Sequence, residues 1–203
     1  MELMTVRAMK LEDLDDVVQI HIAAFPGFFL TRMGPRFLRA YYRAVLDFPA
    51  HLAIVAEADA PAGLAGFVVG FSDVPGFYAF FSRRRRWLLP LIALAVLRMP
   101  ALMGEILHNA RRVEGEARSD GAGAVELASI GTLGQGRGVG GLLLAAFSEA
   151  ARAMGEGSIV LTTDAEDNED VRRFYERRGF VAEGEEQRGT RRLCRYRLSL
   201  SPG

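Results

Sequence analysis

The amino-acid sequence predicts an α/β fold with a central mixed, twisted sheet and helices on both faces. Half of the 203 residues are hydrophobic, which is enough for one good core, and we expect a single domain over residues 1–203. Strand, helix and strand patterns follow one another between Val125 and Thr163, which requires a parallel crossover. The apolar stretches that flank this unit have hairpin spacing, which requires antiparallel pairing.

Hydrophobic periodicity predicts five elements in the first part of the chain. In order they are a strand at 4–9, helices at 11–24 and 35–47, and the two strands of a hairpin at 51–58 and 64–71. The break Phe25-Pro26-Gly27 ends the first helix, and Pro35 suits the first turn of the second.

Residues 77–118 interrupt this succession of strands and helices, and their sequence predicts a helical insertion before the next strand. Four consecutive arginines, Arg83 to Arg86, precede an apolar run from Trp87 to Leu97. That run holds about eleven residues, whereas a bilayer span needs roughly 20. We expect the run to pack on the sheet, while peripheral contact with a membrane surface through 83–99 and a homodimer interface stay open.

Composition excludes several classes of function. The formal net charge is zero, so bulk electrostatics gives no reason to expect a nucleic-acid partner. Lys10 is the only lysine, which leaves almost no candidate for Schiff-base chemistry. The single Cys194 excludes an internal disulfide, and no metal-ligand spacing is present, so we expect no metal. The N-terminus lacks a signal pattern, and we expect a cytoplasmic protein.

Six glycines between Gly131 and Gly141 mark the most informative segment. It lies between a predicted strand at 125–132 and a helix at 139–154, and the remaining elements are a strand at 158–163, a helix at 169–178 and strands at 180–183 and 191–200. Free N–H groups and the helix dipole make such a helix start a site for an anion, and a phosphate is the expected one.

Two phosphate-binding patterns fit this segment poorly. In a Walker-type loop, Arg137 and Gly138 would stand where Lys and Ser/Thr are required. Gly136, Gly138 and Gly141 satisfy the dinucleotide pattern GxGxxG, but fewer than 80 residues follow Val125, which is too few for a doubly wound domain. The glycines could also form only a tight strand-to-helix turn.

Two linked motifs resemble the GNAT superfamily of acyl-CoA-dependent N-acetyltransferases. Gln135-x-x-Gly138-x-Gly140 is similar to the family's pyrophosphate loop, Gln/Arg-x-x-Gly-x-Gly/Ala. The segment from Asn168 through Phe174-Tyr175-Glu176 to Gly179-Phe180 is similar to its Asn…Phe-Tyr-Glu-x-x-Gly-Phe block. The resemblance covers nearly the whole chain except the insertion, and it implies a GNAT-like sheet.

The resemblance also implies a site for acetyl-CoA, the acyl donor. In the family the pantetheine arm lies between two parallel strands that splay apart, here 125–132 and 158–163. The residues implied to bind acetyl-CoA are Ile130, Gly131, Thr132, Gln135, Gly136, Arg137, Gly138, Val139, Gly140, Asn168 and Phe174. Asn168 could instead act only as a helix cap.

Two residues are candidates for catalysis. By resemblance, Tyr175 would donate a proton to the departing thiolate, although a buried structural tyrosine is the alternative. Glu126 would be the general base if the strand-to-loop connection is about two residues shorter than in the family. If the connection has the family's length, Ala124 stands at the position of that base. A water relay, or a paired strand carboxylate at Glu126, stays open as well.

The expected function is acetyl transfer to a primary amine by direct attack in a ternary complex. The acceptor, a small molecule or a peptide, is not readable from the sequence, and the insertion could also cover its site. Two alternatives remain: an acyl-CoA-binding sensor or interaction module on the same fold, and an acyltransferase for longer chains.

Overall fold

Seven strands pair into one sheet in the part of the chain that the structure describes. The structure is a computed structural model and describes residues 4–58, 63–99, 123–134, 138–188 and 191–200. The strands are β1 (Thr5–Ala8), β2 (His51–Glu57), β3 (Leu64–Phe71), β4 (Ala124–Thr132), β5 (Ser158–Asp164), β6 (Val181–Arg188) and β7 (Arg191–Ser199). Their order is β1-β2-β3-β4-β5-β7-β6. Only the β4–β5 pair is parallel among these strands, so the predicted mixed sheet is confirmed.

The helices within the described ranges agree with most of the predicted ones. They are α1 (Leu14–Ala24), α2 (Phe29–Arg32), α3 (Pro35–Asp47), α4 (Val74–Arg83), α5 (Arg85–Arg98), α6 (Val139–Ala153) and α7 (Glu169–Glu176). Residues 11–13 form a 3₁₀ turn rather than the first turn of α1. The short α2 was not predicted. Helical structure before β4 begins at α4, three residues earlier than the predicted insertion, and residues 100–118 of that insertion lie outside the described ranges.

Helices cover both faces of the sheet. One core cluster joins α1, α3 and α4 to one face, with Tyr42 and Phe67 fully buried. The other joins α6 and α7 to the opposite face around Phe147. Every residue of β3 is buried, because both faces of this central strand are covered. Fully burying a side chain such as Phe67 contributes about 2–3 kcal/mol to stability.

The described side chains of the apolar run that are buried pack on helices rather than on the sheet, so the expectation of sheet packing is wrong for them. Leu88 and Ala95 of α5 are buried against Met33 and Phe37, in a cluster that contains no strand residue. The run therefore adds a layer outside α2 and α3. Leu97 on the outer side of α5 is 81% exposed, and the membrane-surface and dimer interpretations stay predictions. No helix in the described ranges is both long and apolar enough to cross a membrane.

The parallel strands β4 and β5 separate along their length. They pair only at Ala124↔Ser158, Val125↔Ile159 and Glu126↔Val160. Beyond this point β4 stays on β3, and β5 stays on β7. The register with β3 skips Ala128, which marks a bulge, and a bulge bends a strand and increases its twist. A wedge therefore opens between β4 and β5 where the bulge lies.

Candidate active site

The two motifs meet beside this wedge. Gly140 lies in the first turn of α6, and Phe174 lies on α7. A Cβ atom at Gly140 would lie 3.3 Å from two carbon atoms of the Phe174 ring. The absence of a side chain at Gly140 therefore leaves room for this ring. Segments far apart in the sequence thus form one surface at the edge of the wedge.

The start of α6 carries first-turn backbone N–H groups that its N-cap residue does not cap with a side chain. Gly138 is the N-cap residue and has a φ of 76°, a left-handed conformation that glycine adopts without strain. It has no side chain to cap the first-turn N–H groups, and Val139 behind it is buried in the core. These N–H groups and the helix dipole favour an anion there. The predicted loop residues Gln135, Gly136 and Arg137 lie outside the described ranges.

The end of β4 carries the other predicted contacts with the pantetheine arm. Ile130 is half-buried and packs toward α6. Gly131 faces the side of the sheet that α1 covers, and a Cβ atom there would lie 3.0 Å from the ring of Phe67 on β3. Thr132 is the last residue of β4, and its methyl group lies near Gly140. All three residues lie beyond the last pair with β5, so their backbone lines the wedge.

Tyr175 is buried on the same side of the sheet as α6. It is 5% exposed, and its ring packs edge-on against Phe174 and Phe180 at centroid distances of 5.2 and 5.4 Å. Burial raises the pKa of Tyr175 well above its usual value. The phenol is therefore protonated at neutral pH, as a proton donor must be.

Asn168 ties the start of α7 to the open end of β5. Its Nδ2 donates to Thr163 Oγ1 at 2.7 Å and to the backbone oxygen of Asp164 at 3.1 Å. Asn168 is the N-cap residue of α7, as the alternative of a helix cap requires, but its side chain makes no capping hydrogen bond to that helix. Its predicted contact with the pantetheine arm stays a prediction.

Glu126 lies at the last paired position of β4, where the wedge begins. Its register partner Phe71 belongs to the α1/α3/α4 core, and paired residues share a face, so Glu126 faces away from Tyr175. Burial raises the pKa of Tyr41 on α3, and the neighbouring Tyr78, Tyr42 and Glu126 add to this shift. A base at Glu126 and an acid at Tyr175 would thus act from opposite faces.

A buried polar network on the Glu126 side was not predicted. His21 Nδ1 lies 2.6 Å from the hydroxyl of Tyr42, and burial raises the pKa of Tyr42 while a hydrogen bond to Ser129 opposes that shift. Ser129 follows the bulge in β4. Burial lowers the pKa of His21 to about 4, so the imidazole is neutral at pH 7. The only sequence signal was a histidine and a tyrosine on apolar helix faces.

An ion pair lies at the C-terminal end of β5. Arg191 donates from Nε and Nη2 to the two carboxylate oxygens of Asp164, at 2.9 and 2.7 Å. Its guanidinium carbon lies 4.6 Å from the ring centroid of Phe28, in the loop after α1. These contacts join β5, β7 and the α1–α2 connection on the face of the sheet that carries Glu126.

Comparisons with known proteins agree with this geometry. The model of the acetyltransferase (GNAT) family matches residues 110–180, which include both motifs. A GNAT-family protein from Desulfovibrio desulfuricans is 17% identical over 98% of this chain and 100% of its own, with a TM-score of 0.65. SsHAT is 22% identical over 98% of each chain, with a TM-score of 0.66. The protein yncA from Salmonella typhimurium, solved with acetyl-CoA, is 17% identical over 98% of this chain and 95% of its own, with a TM-score of 0.60. No curated protein matches the chain.

The sheet, the wedge and the covering helices thus define an acetyltransferase-type α/β fold. The match of the GNAT family model to residues 110–180 agrees with the resemblance drawn from the two motifs, and the predicted GNAT-like fold is confirmed.

Proposed function

We propose that this chain transfers an acetyl group from acetyl-CoA to a primary amine by direct attack in a ternary complex. The observation that carries the proposal is the wedge between β4 and β5, and the start of α6 and the buried Tyr175 pack in one cluster on one face of the sheet. Backbone groups on the inner edges of the two strands do not pair with each other beyond Glu126 and Val160. An extended arm can satisfy them in the manner of an added strand.

Three groups of contacts bind acetyl-CoA, the acyl donor. Amides of the glycine loop and the first turn of α6 bind the diphosphate. The ends of β4 and β5, with Asn168, hold the pantetheine arm. Phe174 packs beside the arm, and the acceptor approaches from the opposite face, where Glu126 and Asp164 lie.

The reaction requires one attack, a proton for the departing sulfur, the reprotonation of the proton donor, and the loss of a proton from the nitrogen. The amine nitrogen attacks the thioester carbonyl carbon, and backbone N–H groups near 130–132 stabilise the oxyanion. The C–S bond breaks, and the thiolate takes the proton of Tyr175. Because burial raises its pKa, the resulting tyrosinate regains a proton at neutral pH. The attack has already formed the C–N bond, and the neutral amide results when the nitrogen loses a proton to Glu126 or to water.

Direct attack agrees with the position of the only cysteine. Cys194 is 2% exposed, lies on β7 and packs in the core under α6 and α7. Reactive cysteines lie in partly exposed positions, whereas structural buried cysteines are inert. We therefore assign no acyl-enzyme, and a mass spectrum with acetylated Cys194 during turnover would contradict this assignment.

The test measures binding and transfer separately. Calorimetry should detect acetyl-CoA binding, and CoA release, corrected for hydrolysis, should rise with at least one member of a panel of amines. No affinity at millimolar acetyl-CoA would refute the proposal. Binding of acetyl-CoA without amine-dependent release of CoA would favour the acyl-CoA sensor. Transfer of longer acyl chains but not of acetyl would favour the acyltransferase for longer chains.

A further inference from the structure

The polar pair His21 and Tyr42 lies among apolar side chains under α1 and α3. The two residues are 3% and 0% exposed, and the ring of Phe67 lies against both, at centroid distances of 6.4 Å from His21 and 5.3 Å from Tyr42. The Tyr42 hydroxyl lies 2.6 Å from Nδ1 of His21. In the described part of the chain, Nε2 of His21 has no hydrogen-bond partner. Burial of these polar groups costs free energy that two apolar side chains would not cost.

The pair leads to Ser129, the first residue after the bulge in β4. Ser129 forms a hydrogen bond with the Tyr42 hydroxyl. Its register partner Val69 belongs to the core under α1, α3 and α4, and paired residues share a face, so Ser129 lies on that face of the sheet. It is half-buried and lies beyond the last pair of β4 with β5. A costly polar group in a core is expected where it holds a functional side chain, and this one ends at the wedge.

Successive positions on this face of β4 form the surface that the acceptor would meet. Glu126 lies before the bulge and Ser129 after it, and their register partners on β3 are two residues apart, so about 7 Å separates their backbones. The next residue on this face is Gly131, where a Cβ atom would lie 3.4 Å from the ring of Phe25. A carboxylate, a hydroxyl and a position without a side chain therefore follow one another along the wedge.

The hydroxyl of Ser129 keeps hydrogen-bonding capacity beyond its bond to Tyr42. A hydroxyl group has one donor and two acceptor lone pairs. Whichever of the two hydroxyls donates, Oγ of Ser129 retains at least one lone pair for an N–H donor. A primary amine has two N–H groups, so one can bond to Ser129 while the other bonds to Glu126 or to water.

We propose that the Ser129 hydroxyl accepts a hydrogen bond from the attacking amine nitrogen, and that Tyr42 and His21 are positioning residues that hold this hydroxyl. This inference rests on the proposed function and adds a contact for the acceptor. The bond fixes one N–H group and thereby orients the nitrogen lone pair toward the thioester carbon. The network orients the amine and does not take its proton, because burial lowers the pKa of His21 to about 4 and the imidazole stays neutral at pH 7.

Hydroxylamine tests this contact, because it is a small primary amine that is uncharged at neutral pH and requires no knowledge of the natural acceptor. CoA release from acetyl-CoA, corrected for the reaction without enzyme, gives kcat/KM for the amine. Ser129→Ala and Tyr42→Phe should each lower this value about threefold to tenfold, the effect of one lost hydrogen bond. Calorimetry should show that both variants bind CoA as the wild type does.

Matched variants separate this contact from packing. Tyr41→Phe removes the neighbouring buried hydroxyl on α3 and should leave kcat/KM for hydroxylamine unchanged. Ser129→Thr keeps a hydroxyl on a side chain that suits a strand, and should lose less than Ser129→Ala. His21→Leu should lower kcat/KM, and His21→Gln, which can still bond to Tyr42, should restore part of the loss.

The double variant with Ser129→Ala and Tyr42→Phe shows whether Tyr42 acts through Ser129. If it does, kcat/KM for hydroxylamine should equal that of Ser129→Ala alone, because the hydroxyl that Tyr42 holds is already gone. Losses that multiply would contradict the positioning role of Tyr42.

The contradicting results are distinct from failure of the proposed function. If the wild type transfers acetyl and Ser129→Ala reacts as fast as Tyr41→Phe does, the inference is wrong while the proposed function stands. A parallel loss of CoA affinity in Ser129→Ala would assign the network to the donor side or to stability, and would overturn the inference as well. If the wild type accelerates transfer to neither hydroxylamine nor any amine of the panel, the proposed function fails, and the inference fails with it.

Discussion

The buried imidazole of His21 should make the fold sensitive to mild acid. Burial lowers its pKa from 6.5 to about 4 in the folded protein, so the unfolded chain binds more protons between these values. The contribution of His21 to stability is complete above pH 6.5 and is lost as the pH falls toward 4. Linkage with these two values gives a loss of about 2 kcal/mol between pH 7 and pH 5.

Urea unfolding at pH 7, 6 and 5 measures this loss, which corresponds to a decrease of roughly 4–8 °C in melting temperature for a chain of this size. The lowered pKa values of Asp13, Asp47 and Glu183 affect stability mainly below this window. The control is His21→Gln, which can still accept a hydrogen bond from Tyr42 but does not titrate. A wild type that is equally stable at pH 7 and 5, or a variant with the same pH slope, would refute the reasoning.

Two other substitutions test the wedge and its supports. Gly70→Ala should lower the free energy of unfolding by about 2–3 kcal/mol or more, because its Cβ would lie 2.3 Å from the backbone oxygen of Glu126. Gly157→Ala is the matched control, since its nearest contact would be 3.5 Å; equal stability of the two variants in urea would contradict the packing beneath β4. Asn168→Ala removes two hydrogen bonds to the end of β5 and should raise KM for acetyl-CoA several-fold with a small change in melting temperature. An unchanged KM would remove Asn168 from the donor site.

Elements with strong local signals were predictable from the sequence. Helix α3 begins at Pro35 and ends at Asp47 as predicted, because proline fits the first turn and the apolar residues repeat at helical spacing. The four-residue α2 is too short for a periodic signal. Strand β6 runs to residue 188, beyond its predicted end at 183, because its polar sequence carries no alternation and its pairing with β7 determines its length.

The proposed donor side of the site could be inferred from the sequence because its residues lie in two contiguous motifs. Contacts between distant segments were not. The bulge at Ala128 depends on the register with β3, and the pairing of His21 with Tyr42 depends on how α1 packs on α3. The position of Arg178 against Gly141 likewise depends on how α6 and α7 pack together, which single-sequence periodicity does not report.

The central claim is that acetyl-CoA binds between the separated strands, and amide hydrogen exchange with and without acetyl-CoA tests it most directly. Within residues 127–132 and 161–164, the backbone N–H groups that do not pair with β3 or β7 should become protected when the arm pairs with them, while β2 should be unchanged. If calorimetry detects binding and protection appears elsewhere but not along β4 and β5, the account is contradicted.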